Sequence, residues 1–121
     1  MNKYIEFIPN AGACTVTKNV LSEAGKVRWM VREESKHPAD NGWVIMSHID
    51  TEDYLNDVDN WQIADFNTVC AIEPAVIGIW NLPVGSDLQL VRDELGIRVV
   101  DTPTGREIPY EELYVPPGFQ R

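Results

Sequence analysis

The segment Gly25–Ser47, GKVRWMVREESKHPADNGWVIMS, constrains the fold more than any other part of this chain. Two tryptophan-bearing apolar stretches flank a charged loop that closes on Asp-Asn-Gly-Trp. From Lys26 the residues alternate, with Val27, Trp29 and Val31 on one side and Arg28, Met30 and Arg32 on the other, which is the period of a β-strand. That alternation places Trp29 in the core beside Val27 and Val31. Glu33–Asn41 carries charges, Pro38 and a turn-forming ending, so it reads as a loop. Gly42 then opens a second strand, in which Trp43, Val44, Ile45 and Met46 form a nearly continuous apolar run. Such a run suits a strand buried on both faces in the middle of a sheet.

The flanking sequence fits around this pair. Ala13–Thr17 is small and β-branched and reads as a first short strand, and Asn19–Ala24 as a single helical turn closed by Gly25. Thr51 is placed to cap a short helix through Tyr54 and Leu55, whose start the acids Glu52 and Asp53 favour. A short strand is expected near Val69–Ile72. Pro74 opens an apolar turn that ends before Pro83, since its missing N–H is harmless there. Ser86–Arg92 and Ile97–Val100 read as two further strands, followed by the turn signal Thr102-Pro103-Thr104-Gly105. A last turn is expected at Tyr110–Tyr114, with an extended or frayed Pro116-Pro117-Gly118 tail. The sum is an α+β single domain over residues 1–121, with a mainly antiparallel sheet and a few short helices.

A chain of 121 residues with 24% charged and 44% hydrophobic composition is long enough for one compact core and too apolar for wholesale disorder. Its 19 acidic residues outnumber the 10 Lys and Arg, for a formal charge of −9. Phosphate backbones and anionic membranes would mostly be repelled by such a surface, so neither nucleic acid nor membrane is expected as a partner. The opening residues show no sustained apolar run of a secretory signal, and no stretch approaches a membrane span; a cytoplasmic protein is the expectation. Cys14 and Cys70 stand alone in apolar surroundings, which fits buried free thiols better than a zinc site or a disulfide framework.

The acids Asp50, Glu52, Asp53, Asp57 and Asp59 crowd one short stretch, yet the pattern of a calcium loop is missing, and a solvated acidic face outweighs a cation site. His37 and His48 sit in or beside loops, outside any metal-binding or triad spacing. With no acid, base and nucleophile set assembled, a non-catalytic role without cofactor is expected; the competing reading is a small-molecule or metal-dependent enzyme that uses His48 with the nearby acids and gathers His48, Asp50 and Asp53 in one pocket. Trp43, after the loop-closing glycine, is expected at a pocket rim, and Trp61 to be partly exposed. Asp40-Asn41-Gly42 makes a tight turn, and the alternative has Arg28, Arg32, Glu33 and Asp40 forming a charged network around a cleft.

Gly25–Glu33 followed by Asp40-Asn41-Gly42-Trp43 resembles the bacterial immunity protein 33 family, or domain of unknown function 2185. The resemblance runs from about Cys14 to Arg92. It takes in Val16-Thr17-Lys18-Asn19-Val20, the acidic stretch before Trp61 and the Ile72-Glu73-Pro74 step. It implies a protein of polymorphic toxin systems that neutralises a cognate toxin by binding it. Acidity suggests a basic toxin, such as a nuclease. The residues expected to meet it are Glu33, Glu34, Asp40 and Trp43 around the first loop, and Asp50, Asp53, Asp57, Asp59 and Trp61 along the acidic stretch. A third possibility is an interaction module with no toxin.

Overall fold

The computed structural model describes residues 5–119. Six strands form one sheet: β1 (Ala13–Thr17), β2 (Val27–Arg32), β3 (Asp40–Ser47), β4 (Trp61–Asp65), β5 (Asp87–Asp93) and β6 (Gly96–Asp101). Their spatial order is β4-β1-β3-β2-β5-β6. The sheet is mixed: β1 and β3 run parallel, and the other four pairings are antiparallel. Three short helices accompany it, α1 (Lys18–Leu21), α2 (Glu52–Leu55) and α3 (Phe66–Ile72), with a 3-10 segment over Pro74–Ile79.

One face of the sheet carries the core. Val16, Ile45, Met30 and Leu88 lie directly opposite one another across four strands, each no more than 2% exposed. Phe66, Val69 and Cys70 of α3 and Val76 and Ile79 of the 3-10 segment pack with them in one apolar cluster. Covering four such side chains in full contributes roughly 1.5–3 kcal/mol each. Among the described residues the other face has no such layer. On it Ile63, Thr15, Val44, Val31 and Asp87 form one row, and Met46, Trp29, Gln89 and Val100 form a second.

A bulge in β2 decides which residues face where. Val27 pairs with Ser47 but Trp29 pairs with Met46, so two residues of β2 advance against one of β3. Beyond Arg28 the parity therefore flips: Met30 is buried in the core, and Trp29 and Val31 are half-buried on the open face. The strict alternation expected from the sequence, with Trp29 in the core, does not survive this extra residue. In β3, Trp43, Ile45 and Ser47 are buried while Val44 and Met46 are half-buried, so the strand is covered on one face and only partly on the other. Its pairing also starts two residues earlier than Gly42.

Other boundaries move for local reasons. The stretch 66–72 is helical rather than a strand, because the Asp65 carboxylate accepts the Asn67 N–H at 2.8 Å and Phe66, Val69 and Cys70 recur at helical spacing on the buried side. α1 ends at Leu21, and the left-handed residue after it is Glu23 (φ 63°), not Gly25. Gly25 is required for close approach: a side chain there would collide with Ser47 and Ile49. Gly42 does hold a left-handed conformation (φ 86°), and a side chain would strike the Glu33 carbonyl. The predicted cap of α2 is present, with Thr51 Oγ1 accepting from the Tyr54 N–H at 3.1 Å. The tail is less extended than expected, since Pro116 is buried and Pro117–Phe119 makes a 3-10 turn.

Buried polar side chains fasten the segments around the core. Asn67 Oδ1 accepts the N–H groups of Phe7 and Ile8, each at 3.0 Å, and its Nδ2 donates to the Ile8 carbonyl at 3.0 Å. Trp43 Nε1 donates to the Trp80 carbonyl at 3.1 Å, and Trp80 Nε1 donates to the Ala11 carbonyl at 2.9 Å. Each buried amide or indole thereby keeps the partner that burial would otherwise remove.

Candidate interaction surface

The residues singled out in the sequence separate into those that build the fold and those that remain at the surface. Trp43 belongs to the first group: it is wholly buried, with the guanidinium of Arg32 5.7 Å from its ring, and so is not at a pocket rim and exposes no side-chain surface. Asp40 shapes the loop, its two oxygens accepting the N–H groups of Gly42 at 2.9 Å and Lys36 at 3.2 Å. Asp50 ties α1 to the end of β3, accepting from Asn19 Nδ2 at 2.8 Å and from the Ser47 N–H at 2.7 Å. Burial raises its pKa, but the Ser47 N–H, the Asn19 amide and the nearby hydroxyl dipoles of Ser47 and Thr17 outweigh that and hold the carboxyl below its ordinary value. Neither hydroxyl oxygen has a well-formed hydrogen bond.

Nor do the charged groups of β2 form a network around a cleft. Arg32 satisfies main-chain carbonyls instead: Nε donates to Asn41 at 3.0 Å and a terminal nitrogen to Leu82 at 2.7 Å. Arg28 lies over the Trp29 ring at 5.3 Å and donates to Gln89 Oε1 at 2.9 Å. The four ion pairs among the described residues engage Glu73, Asp93, Glu107 and Glu112. None engages Glu33, Glu34, Asp53, Asp57 or Asp59, all of which are exposed. Asp57 has one oxygen occupied by the Asp59 N–H at 2.9 Å.

Two of the surface residues, Glu33 and Trp61, come together although 28 positions separate them. They line a groove of about 510 Å³ on the open face, with Thr15, Val44, Val58 and Ile63 supplying most of its apolar wall. Trp61 is half-buried, its Nε1 donating to the Leu55 carbonyl at 2.8 Å, which fixes α2 against β4. Val58 stands between Asp57 and Asp59 and is 79% exposed; Ile63 is 68% exposed. The arrangement is an apolar groove with carboxylates at its margin. Val58, Ile63 and Val44 were not singled out by sequence reasoning, although an isolated valine inside an acidic run is a detectable signal.

His48, Asp50 and Asp53 do not converge in one pocket. His48 lines a small cleft of about 140 Å³ with Lys26, Arg28 and Arg92, not with Asp50 or Asp53, and its Nδ1 accepts the Lys26 N–H at 3.0 Å. His37 Nδ1 accepts the Ala39 N–H at 3.1 Å. Cys14 and Cys70 are buried free thiols. Desolvation, helped for both by the nearby charge of Asp65, pushes each up to about 12, so neither supplies a thiolate near neutrality. Among the described residues no three of His, Cys, Asp and Glu are placed to hold a metal ion. A second apolar cavity, of about 500 Å³, opens near β6, between Ile77, Ile97 and Leu113. It contains none of the residues expected from the sequence to meet a toxin.

The model of the immunity protein Imm33 domain matches residues 14–100. No curated protein and no solved structure matches the chain. The family match spans well over half of the sequence and takes in all six strands from Cys14 to Val100. The chain belongs to the immunity protein Imm33 domain family.

Proposed function

With that membership as the premise, we propose that the protein is a non-catalytic immunity protein that neutralises a cognate toxin in the cytoplasm by binding it through an acidic surface. The observation that carries this reading is the set of exposed carboxylates, Glu33, Glu34, Asp53, Asp57 and Asp59, which form no ion pair among the described residues; Glu33 lines an apolar groove, and Asp57 and Asp59 adjoin Val58 of its wall in sequence. Carboxylates held in internal pairs would have little field left to offer a partner. Unpaired ones at the edge of an apolar patch supply long-range attraction and a desolvated contact together. The charge of −9 favours a basic toxin and speeds encounter by roughly 10–10³-fold at low salt.

The test is capture on the tagged protein from its native cells at low and at high salt, followed by co-expression of the captured protein with this chain. A basic protein released by salt, toxic alone and harmless when co-expressed, is the expected result. Replacing Asp53, Asp57 and Asp59 together with Asn should weaken that binding and flatten its salt dependence. Recovery of no toxic partner at either salt, or undiminished protection by the triple variant, would remove the acidic surface from the account.

A further inference from the structure

Among the described residues β4 lies at one edge of the sheet, paired with β1 alone. The phase of that pairing is set by the Phe66 N–H, which donates to the Gly12 carbonyl at 2.9 Å beside the opposed residues Ala13 and Asp65. Opposed antiparallel residues alternate between hydrogen-bonded and non-bonded pairs. Cys14–Ala64 and Val16–Gln62 are therefore the bonded pairs, and Thr15–Ile63 and Thr17–Trp61 the non-bonded ones. It follows that the N–H and C=O groups of Ile63 point away from β1, toward the outer edge. Among the described residues no other strand pairs with that edge.

Edge strands are ordinarily blunted by lysine, proline, a bulge or a covering segment. β4 reads Trp-Gln-Ile-Ala-Asp, with neither lysine nor proline, and its register with β1 is unbroken. The opposite edge, β6, is treated differently. It is bridged by Glu107 at Val100, and Arg98 is paired with Asp93 and Glu107. The bare edge of β4 also adjoins the apolar groove, because the Ile63 side chain belongs to the groove wall while its main chain faces outward.

We propose that β4 and the adjoining groove form a docking site for an extended segment of another protein, which adds to the sheet as a seventh strand and is both basic and apolar. This inference rests on the reading of the protein as a toxin-binding immunity protein, and names how the toxin is held. The occupant's chemistry follows from complementarity. Main-chain pairing supplies affinity irrespective of sequence, and alternate side chains supply selectivity. One set of side chains meets Val44, Val58 and Ile63; Glu33 at the groove and Asp57 and Asp59 beside Val58 favour Lys or Arg in the segment. Among the described residues Lys36 is the single basic side chain lining the groove. A second copy of this chain is disfavoured as occupant, since it would bring the same carboxylates and another −9 of charge to the contact.

The test uses the full-length, nitrogen-15-labelled protein and a capped Lys-Val-Lys-Ile-Lys-Val peptide. The expected result is saturable movement of the Ile63 amide and Trp61 indole signals, slowed hydrogen exchange at Ile63, and no response to a Glu-Val-Glu-Ile-Glu-Val peptide. N-methylating alternate amides of the basic peptide, in either phase, should weaken binding roughly tenfold in the phase that blocks pairing and little in the other. Ile63→Pro removes the outward N–H without touching a bond to β1 and should weaken the basic peptide similarly; Ile63→Val, which keeps both the N–H and a branched apolar side chain, provides a folded comparison that should bind nearly as the parent does. Shifts confined to other surfaces, or binding indifferent to both methylation phases, would overturn the proposal. So would Ile63 protection that grows with protein concentration and without peptide, which assigns the edge to a second copy. Toxin capture as described above is scored separately, so a toxin that binds with this edge uninvolved refutes the docking mode alone, whereas absence of any toxin refutes the broader function.

Discussion

On the covered face of the sheet, Val16, Ile45, Met30 and Leu88 run across four strands with at most 2% exposure; on the open face, Ile63, Thr15, Val44 and Val31 run across four strands, with Ile63 left 68% exposed. The tryptophans divide the same way. Trp43 is sealed beneath the covering layer, its Nε1 bound to a main-chain carbonyl, and Trp29 and Trp61 lie half-buried on the open side. One face is filled to hold the fold, and the other retains apolar surface that the fold does not need. Aromatic and branched side chains are thus a guide to stability on one side of this sheet and to contact on the other, and the residue type alone does not say which.

Removing an aromatic ring from each face is the sharpest way to break that comparison. Trp43→Ala should destabilise by about 3–5 kcal/mol, because it empties a close-packed site and strands the Arg32 stack. Trp29→Ala should cost less, below about 2 kcal/mol, since its ring is already partly wet. Urea midpoints for the two variants would decide it; equal losses would mean that the faces are equally packed.

Next in size is Asn67→Ala. It leaves two main-chain N–H groups and one carbonyl without their partner in a buried setting, for an expected loss of about 2–3 kcal/mol. Chemical denaturation checks it, and a loss below about 1 kcal/mol would show that the segment around Phe7 and Ile8 contributes little. A smaller effect is expected at Asp50, whose folded pKa lies below its unfolded value of about 4. Its contribution is then present in full above that unfolded value and disappears as pH falls through the lower folded one. Asp50→Asn should flatten the acid limb of a stability-against-pH curve and leave the neutral plateau lowered by about 1 kcal/mol. An unchanged acid limb would mean that other carboxylates dominate it. Smallest of all is Ile63→Lys on the open face, expected within about 0.5 kcal/mol of the parent in thermal unfolding. A marked loss there would convert the groove from a contact surface into part of the core.

Much of the fold was legible because it rests on local pattern. Ala13–Thr17, the two strands around the Pro38 loop and the two strands after Ser86 all follow from period and turn chemistry, as does the Thr51 cap. What was not legible was set by distant or single-residue events. The bulge at Arg28 reverses the parity of β2, and nothing in Arg-Trp-Met announces it, since a bulge is a property of two strands in register. Phe66–Ile72 is rich in residues that suit either state, and its cap at Asp65 decides in favour of helix. The candidate site shows the same division. Exposure of Trp61 short of full burial was foreseen from its acidic neighbourhood, whereas Trp43 was misplaced because a glycine-closed loop says where a strand begins and not which side is covered. The groove joins Glu33 to Val58 and Ile63 through strand order, which a linear pattern does not encode.

The two buried thiols offer a clock. Cys14 sits on β1, between the edge strand β4 and its parallel partner β3, Cys70 sits on α3 in the same apolar cluster, and burial keeps both protonated. A water-soluble alkylating reagent can reach them only while β1 and α3 are apart, so the rate of labelling counts openings of the molecule without any added probe. Compared with and without a bound partner, that count would report how firmly occupation of the open face steadies the opposite side of the same sheet.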